Sequence, residues 1–298
     1  MNLLVTGAFQ ITPSQIEELE SLGHTVVIQK NENDELDIDH SEIEGVICNA
    51  LFLYHDIEKF ENLKYIQLTS AGLDRVPFEY IETKGIKLNN ARGVYSIPMA
   101  EFALTAVLDV YKNIEHFRVA QRERRWDKYR VIRELHGKRA CIVGCGSVGD
   151  ECAKRFLAMG CEVFGIDACP REDSMYSKIF HTSKICDVLP MSDIVILTLP
   201  LSSDTYHLIG AKELDLLPDG CVLVNISRGG VVDTDSLIDS LRKRDIVAVL
   251  DVFEEEPLSS DSPLWNLPNA LLTPHNSFVG EGNGERLWKV ILENLTAI

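Results

Sequence analysis

Short apolar runs alternate with segments of helical period along nearly the whole chain. The runs at 2–8 (NLLVTGA), 24–29 (HTVVIQ), 45–50 (GVICNA), 64–72 (KYIQLTSAG) and 86–91 (IKLNNA) each predict a strand. Between the first two, Thr12 as N-cap, Pro13 at the first helical position and Gln15 closing a capping box predict a helix that stops at Gly23. A long apolar helix is expected over 98–117, opened by Pro98. A second series of strands is expected at 138–146, 161–167, 193–200, 221–227, 246–253 and 270–275, with a last helix over 285–298. Strands that alternate with helices predict parallel sheets covered on both faces. The break near residue 97 makes each series a domain of its own. No solenoid repeat or low-complexity segment interrupts the pattern.

A length of 298 residues agrees with two cores rather than one. The net charge of −17 argues against a general nucleic-acid or anionic-membrane binder, which long-range repulsion would disfavour. A small anionic substrate responds to the local field of its site and stays compatible. The opening MNLLVTGAFQ lacks a basic leader, and no apolar run approaches a membrane span. The cysteines at 48, 141, 145, 152, 161, 169, 186 and 221 form no CxxC pair, and most lie inside apolar runs. A reducing cytoplasm is the expected setting, and no metal site is predicted. Residues 118–139 hold nine Lys or Arg against three acids, in an otherwise acidic chain. A solvated helix and linker face accounts for them, with a subunit contact as the next reading.

The segment ACIVGCGSVGDECAKRF places Gly144, Gly146 and Gly149 in the spacing G-x-G-x-x-G, between a strand and a helix with Val148, Cys152, Phe156 and Leu157 on one side. Gly144 permits a tight turn, Gly146 lets backbone approach a pyrophosphate, and Gly149 allows close helix–sheet packing. Asp167, at the end of the next strand, suits the two hydroxyls of an adenosine ribose and would repel a 2′-phosphate. The expected cofactor is therefore NAD, with Arg171 close enough in sequence to leave NADP open. Cys145 beside a helix N-terminus raises the expectation of a thiol with lowered pKa, set against a small residue that simply fits.

Arg228, Glu256 and His275 all fall at the carboxyl ends of strands in the second series, the edge where ligands of such sheets sit. Reduction of a 2-oxo acid needs a group to hold the carboxylate and a group to protonate the carbonyl oxygen. Arginine suits the first role and histidine the second, while a neighbouring glutamate orients the imidazole and stabilises its cation. The motifs GCGSVG, NISRGGVVD, LDVFEEEPL and LLTPHNS, in this order, resemble those of the D-isomer-specific 2-hydroxyacid dehydrogenases. The resemblance implies Arg228 as the substrate-carboxylate arginine, His275 as acid/base, Glu256 as its partner, and Asp251 as a hydrogen-bond partner of the nicotinamide carboxamide. It extends the cofactor contacts to Ser147, Val148, Pro200, Thr205 and Ile226. It implies two doubly wound parallel-sheet domains with a cleft between them. These are a flavodoxin-like substrate domain (1–96 plus 277–298) and a Rossmann dinucleotide-binding domain (97–276). A homodimer and a D (R-configured) hydroxy acid follow from the same resemblance.

Ala71 and Gly72, in SAGLD, resemble the family's substrate loop and offer N–H groups to the carboxylate. Where the phosphoglycerate branch usually carries an arginine, this chain reads CNALFLYHD (48–56), with Asn49 near that place and Leu51, Phe52, Leu53 and Tyr54 after it. Together with Phe278, this points to a substrate with a small or apolar side chain, unless the loop packs on its own domain. Arg75 keeps a second acidic group open. The alternatives are an NAD-responsive interaction protein on the same fold and a phosphoglycerate- or hydroxypyruvate-type dehydrogenase.

Overall fold

The computed structural model describes residues 1–297. The chain forms two compact units, Met1–Tyr95 with Gly280–Ile298, and Ser96–Val279. In the first unit, strands β1 (Asn2–Thr6), β2 (Thr25–Gln29), β3 (Gly45–Cys48), β4 (Tyr65–Leu68) and β5 (Lys87–Asn89) make a parallel sheet in the order β2-β1-β3-β4-β5. Side chains alternate across it with period two. Leu3, Val5, Ile47 and Tyr65 face a core closed by Leu19 and by Leu287, Ile291 and Leu295 of the helix Asn283–Thr296. Leu4, Val46, Cys48, Ile66 and Leu68 face the opposite core with Ile43, Leu51, Phe60 and Ile81. The first helix, Pro13–Ser21, carries both capping-box bonds: the Thr12 hydroxyl accepts from Gln15 N–H, and the Gln15 side chain accepts from Thr12 N–H at 2.8 Å.

In the second unit, β6 (Arg139–Val143), β7 (Glu162–Asp167), β8 (Lys178–His181), β9 (Ile194–Leu197), β10 (Val222–Asn225), β11 (Val247–Leu250) and β12 (Ala270–Leu272) form a parallel sheet. Its order is β12-β11-β10-β9-β6-β7-β8. Both sheets reverse strand order at an interior point, between β1 and β3 in one and between β6 and β9 in the other, as in doubly wound folds.

Four features depart from the sequence reading. The helix expected over 98–117 is two helices, Ser96–Lys112 and Ile114–Arg122. Asn113 breaks them apart in the left-handed region (φ 51°), which asparagine tolerates better than other side chains. Strand β8 was not expected, because an edge strand with two polar ends carries little hydrophobic signal. Leu157 is 44% exposed, so the buried stripe of its helix runs through Cys152, Ala153 and Phe156 instead. The last helix begins at Asn283, and Ile298, assigned to it from sequence, lies outside the described residues. Among the described residues no helix is long and apolar enough to cross a membrane.

Expected strands 193–200, 221–227, 246–253 and 270–275 all stop three residues or so early. Their polar ends form loops at the carboxyl edge of the sheet, and those loops hold the chemistry.

Candidate active site

The glycine loop follows β6. Gly144 has φ +99°, and a Cβ there would lie 2.8 Å from the backbone N of Leu199. A Cβ at Gly149 would lie 2.1 Å from the carbonyl oxygen of Gly144, so both positions demand glycine. Gly146 is different, because a Cβ there would meet nothing within 4 Å. The space over it is open, and Gly146 caps the helix Ser147–Ala158 without a side chain of its own. A helix N-terminus beneath open space is the cradle a pyrophosphate requires, and the residues present fit a dinucleotide. Thr198 closes the loop from the side, its hydroxyl donating to Gly144 C=O at 2.6 Å. Ser147 and Val148 make the first turn of the helix.

Asp167 ends β7, and its carboxylate accepts from the N–H groups of Cys145 and Cys169, both at 2.8 Å. Each oxygen keeps a lone pair for a further donor. Arg171 donates to Cys145 C=O at 2.6 Å, to Asp150 at 2.6 Å and to Asp173 at 3.3 Å. Two carboxylates thus engage the cation that the sequence reading left available to NADP. Of the two readings of Cys145, the small residue that fits agrees with its packing, and the activated thiol does not. Burial pushes its thiol up to about 12, the reverse of an activated thiolate. A side chain on Gly165 would lie 2.5 Å from its sulfur, which shows how tightly that atom is packed.

At the end of β10, Asn225 organises the turn that carries Arg228. Its amide donates to Arg228 C=O at 3.0 Å and its oxygen accepts from Ser227 N–H and Oγ–H at 3.1 and 2.8 Å. Ile226 is buried and Arg228 half-buried. A Cβ on Gly229 would lie 1.8 Å from the carbonyl carbon of Phe253, so glycine lets this turn press against the segment bearing Glu256.

Asp251 lies beyond β11 and is fully buried. Its carboxylate accepts from the Thr273 hydroxyl (2.6 Å), Asn276 N–H (2.8 Å) and Ser277 N–H (2.9 Å), while its carbonyl accepts from His275 N–H at 2.7 Å. It fastens the loop from below. His275, on that loop, has left-handed backbone (φ 49°), a conformation that costs a non-glycine residue on the order of 1 kcal/mol and persists where surroundings enforce it. Its Nδ1 pairs with Glu256 Oε2 at 2.7 Å, with side chains 39% and 36% exposed. Glu256 is itself held by Phe253 N–H on Oε1 at 3.0 Å. The second ring nitrogen, Nε2, has no hydrogen-bond partner among the described residues. Phe278 meets the imidazole edge-on, with ring centroids 5.8 Å apart.

Sequence reading missed a second His–Glu pair. His207, also left-handed (φ 51°), places Nε2 3.0 Å from Glu254 and Nδ1 3.8 Å from Asp233, and donates its N–H to Gly230 C=O. Burial pushes Glu254 up, but the hydrogen bonds from Thr234 and His207 outweigh it and hold the carboxyl below its usual range. The signal lies in FEEEP, in which Glu254 stands two residues before Glu256. Pro200 and Thr205 form one closed turn nearby, the Thr205 hydroxyl donating to Pro200 C=O at 2.7 Å.

Ala71 and Gly72 belong to the other unit, beyond β4. Their carbonyls accept from Asn90 (2.7 Å) and the Ser70 hydroxyl (3.2 Å), and their N–H groups donate to nothing among the described residues. In the 48–56 loop, Leu51 is buried in its own unit and Phe52 packs edge-on against Phe60, whereas Leu53 and Tyr54 are exposed. Only the latter two keep the apolar surface that the sequence reading gave to the whole run. No three His, Cys, Asp or Glu residues among those described are grouped to hold a metal ion.

The family model for the NAD-binding domain of D-isomer specific 2-hydroxyacid dehydrogenases matches residues 104–277, more than half of the chain. The chain belongs to that family. It is 32% identical over 245 residues to a D-3-phosphoglycerate dehydrogenase of Methanocaldococcus jannaschii, covering 81% of this chain but 47% of that protein. It therefore spans about half the length of that relative. It is 31% identical over 241 residues to a hydroxypyruvate reductase of Thermotoga maritima, covering 80% of this chain and 77% of that one. Among solved structures, a D-lactate dehydrogenase of Aquifex aeolicus complexed with NAD and lactic acid superposes with TM-score 0.81 at 25% identity, covering 99% and 95% of the two chains. The glycine loop, Asp167, Arg228, Asp251, Glu256 and His275 all lie inside the matched NAD-binding domain.

Proposed function

We propose that the protein is an NAD-dependent oxidoreductase that interconverts a small 2-oxo acid and the corresponding D-2-hydroxy acid. The observation that carries this reading is the His275–Glu256 pair at 2.7 Å, built on the same sheet edge as the open glycine cradle. The glycine loop Gly144–Gly149 and Asp167 would hold NADH, which would supply a hydride to the carbonyl carbon when bound. Arg228 pairs with the substrate carboxylate. His275 gives the proton on Nε2 to the carbonyl oxygen, so the 2-oxo acid, one hydride and one proton become the hydroxy acid. Glu256 holds Nδ1–H, which fixes the tautomer and stabilises the imidazolium before transfer. In the reverse direction His275 accepts that proton.

Asp167, together with the engagement of Arg171 by Asp150 and Asp173, supports NAD over NADP. In this reading 97–276 is the dinucleotide-binding domain and 1–96 with 277–298 the substrate domain. The protein works in the cytoplasm as a homodimer. Support for the dimer comes from the segment after Arg122, where Trp126 is 92% and Val131 77% exposed. Exposed aromatic and arginine side chains are enriched at subunit contacts, and this segment sets Arg124, Arg125 and Arg130 beside Trp126.

The test is oxidation of NADH against a panel of 2-oxo acids. Arg228→Ala should lose most of kcat/KM while NADH still binds. Turnover that survives the change removes the carboxylate role from Arg228.

A further inference from the structure

Neighbouring strands β9, β10 and β11 of the second sheet end in loops that carry Thr205, Arg228 and Glu256 in turn. His207 joins all of these loops. It belongs to the loop after β9, and its N–H donates to Gly230 C=O (2.8 Å) on the turn after β10. Its Nε2 lies 3.0 Å from Glu254 Oε2 on the loop after β11. Left-handed backbone at His207 (φ 51°) is the conformation these contacts enforce. Glu254 has a second anchor, for its Oε1 accepts from Thr234 N–H (2.9 Å) at the start of the helix Thr234–Lys243. Glu256 closes the same loop on itself. Its Oε1 accepts from Phe253 N–H at 3.0 Å, which leaves Oε2 for His275 Nδ1 at 2.7 Å. Glu254 therefore lies inside the 253–256 span that Glu256 closes, and its side chain ties that span to two other elements.

We propose that His207 and Glu254 are positioning residues for the acid/base pair, their contact holding residues 253–256 in the place from which Glu256 meets His275. This rests on the dehydrogenase reading and deepens it. Both residues act through Glu256 and not on the substrate. A carboxylate 2.7 Å from an imidazole favours the imidazolium, and the preference weakens as the two move apart. A 253–256 loop that slips therefore lets the proton leave His275 at lower pH. The charged and titratable groups around His275 are Glu256 beside the ring, Asp251 beneath its loop and Arg228 on the turn after β10. Those about His207 are Glu254, Asp233 and Tyr206. Charge alone makes a different forecast from position. Removing an acid and removing a base act on a nearby imidazole in opposite directions through space. Loss of the tether acts in one direction, whichever partner is lost.

The experiment records kcat/KM against pH for the full chain with NADH and glyoxylate, pyruvate or hydroxypyruvate, using the acid that the wild type reduces best. The variants are Glu254→Gln and His207→Asn, since asparagine tolerates left-handed backbone and its amide stops short of the Nε2 position. In both, the pH at which kcat/KM falls on the alkaline side should move down by about 0.5–1 pH unit, a part of the roughly 1–3 that a close opposite charge supplies. The double variant should move no further than the larger single one, because the same contact is lost in each. Glu255→Gln, which removes an exposed charge from the same loop, should leave the midpoint in place. Ring-proton NMR of His275, assigned by its loss in His275→Gln, reads that midpoint without cofactor or substrate. A midpoint unchanged in both variants, moved in opposite directions, or matched by Glu255→Gln overturns the positioning role and leaves the dehydrogenase reading standing. Should one variant fail to fold, the other, set against Glu255→Gln, decides alone. Silence of the wild type toward all of these acids while NADH binds overturns the dehydrogenase reading and this inference with it.

Discussion

Asp251 and Glu32 collect the same donors, one hydroxyl and two backbone N–H groups each, at the carboxyl edges of two different sheets. The results are opposite. Asp251 is short, stands at a strand end and is fully buried, so it pulls the 273–277 loop down and turns His275 outward. Glu32 is longer, reaches in from a neighbouring loop and ties the end of β1 to the segment just beyond β3. One carboxylate presents a functional group, and the other fastens two strand ends to its own loop. A hydrogen-bond inventory alone does not separate these roles. Depth, and the strand or loop that supplies the side chain, does.

The comparison breaks most visibly at what Asp251 presents. His275→Gln should lower kcat by roughly 10²–10⁴-fold, the range for a positioned acid/base, with NADH affinity retained by direct titration. Near-normal turnover would remove His275 from proton transfer. Asp251→Asn keeps the volume but sets a donor against at least one of three donors. It should destabilise by about 1–3 kcal/mol in denaturant melts and lower kcat through a displaced His275. A variant as stable as wild type would show that the loop is held by something else.

The sheet edge also has a component that titrates. Glu254 sits below its ordinary value of 4.5, so it contributes stability that is present above that value and lost as pH falls through the lower folded one. The gap in melting temperature between wild type and Glu254→Gln should therefore shrink as the pH is lowered from 6 toward 3. A gap independent of pH would contradict the ion pair with His207. The smallest effect concerns thiols. At pH 8 in native buffer, exposed Cys169 should react with a thiol reagent while buried Cys145 does not, until denaturant is added.

The glycine cradle and the Arg228, Glu256 and His275 set were legible because each lies where a strand's apolar run ends, a boundary that sequence marks by itself. Glu32 was not. It stands in the polar stretch NENDELD, which carries no periodic signal, and gains meaning only when strand order sets Thr6 beside Asn49. The same holds for His207, whose partner is 47 residues away. Asn113 shows a different limit. Its neighbours are good helix formers, and nothing local marks the left-handed residue that splits the helix. For Cys145 the sequence supplied proximity to a helix start but not the burial that decides the thiol's chemistry.

The helix Asn283–Thr296 completes a core whose strands were made first. Between Tyr95 and Gly280 the ribosome adds the whole of the other unit, which at ordinary synthesis rates takes roughly 10–40 s. Through that interval the sheet bearing Leu3, Val5 and Ile47 lacks Leu287, Ile291 and Leu295. The order of synthesis is thus the reverse of the order of completion. A chain truncated after Val279 should yield a protease-resistant 96–279 fragment and digested 1–95, whereas equal protection of both would show that the first sheet closes alone. During translation, then, the earlier-made sheet waits with one face open, and the later-made helix is what covers it.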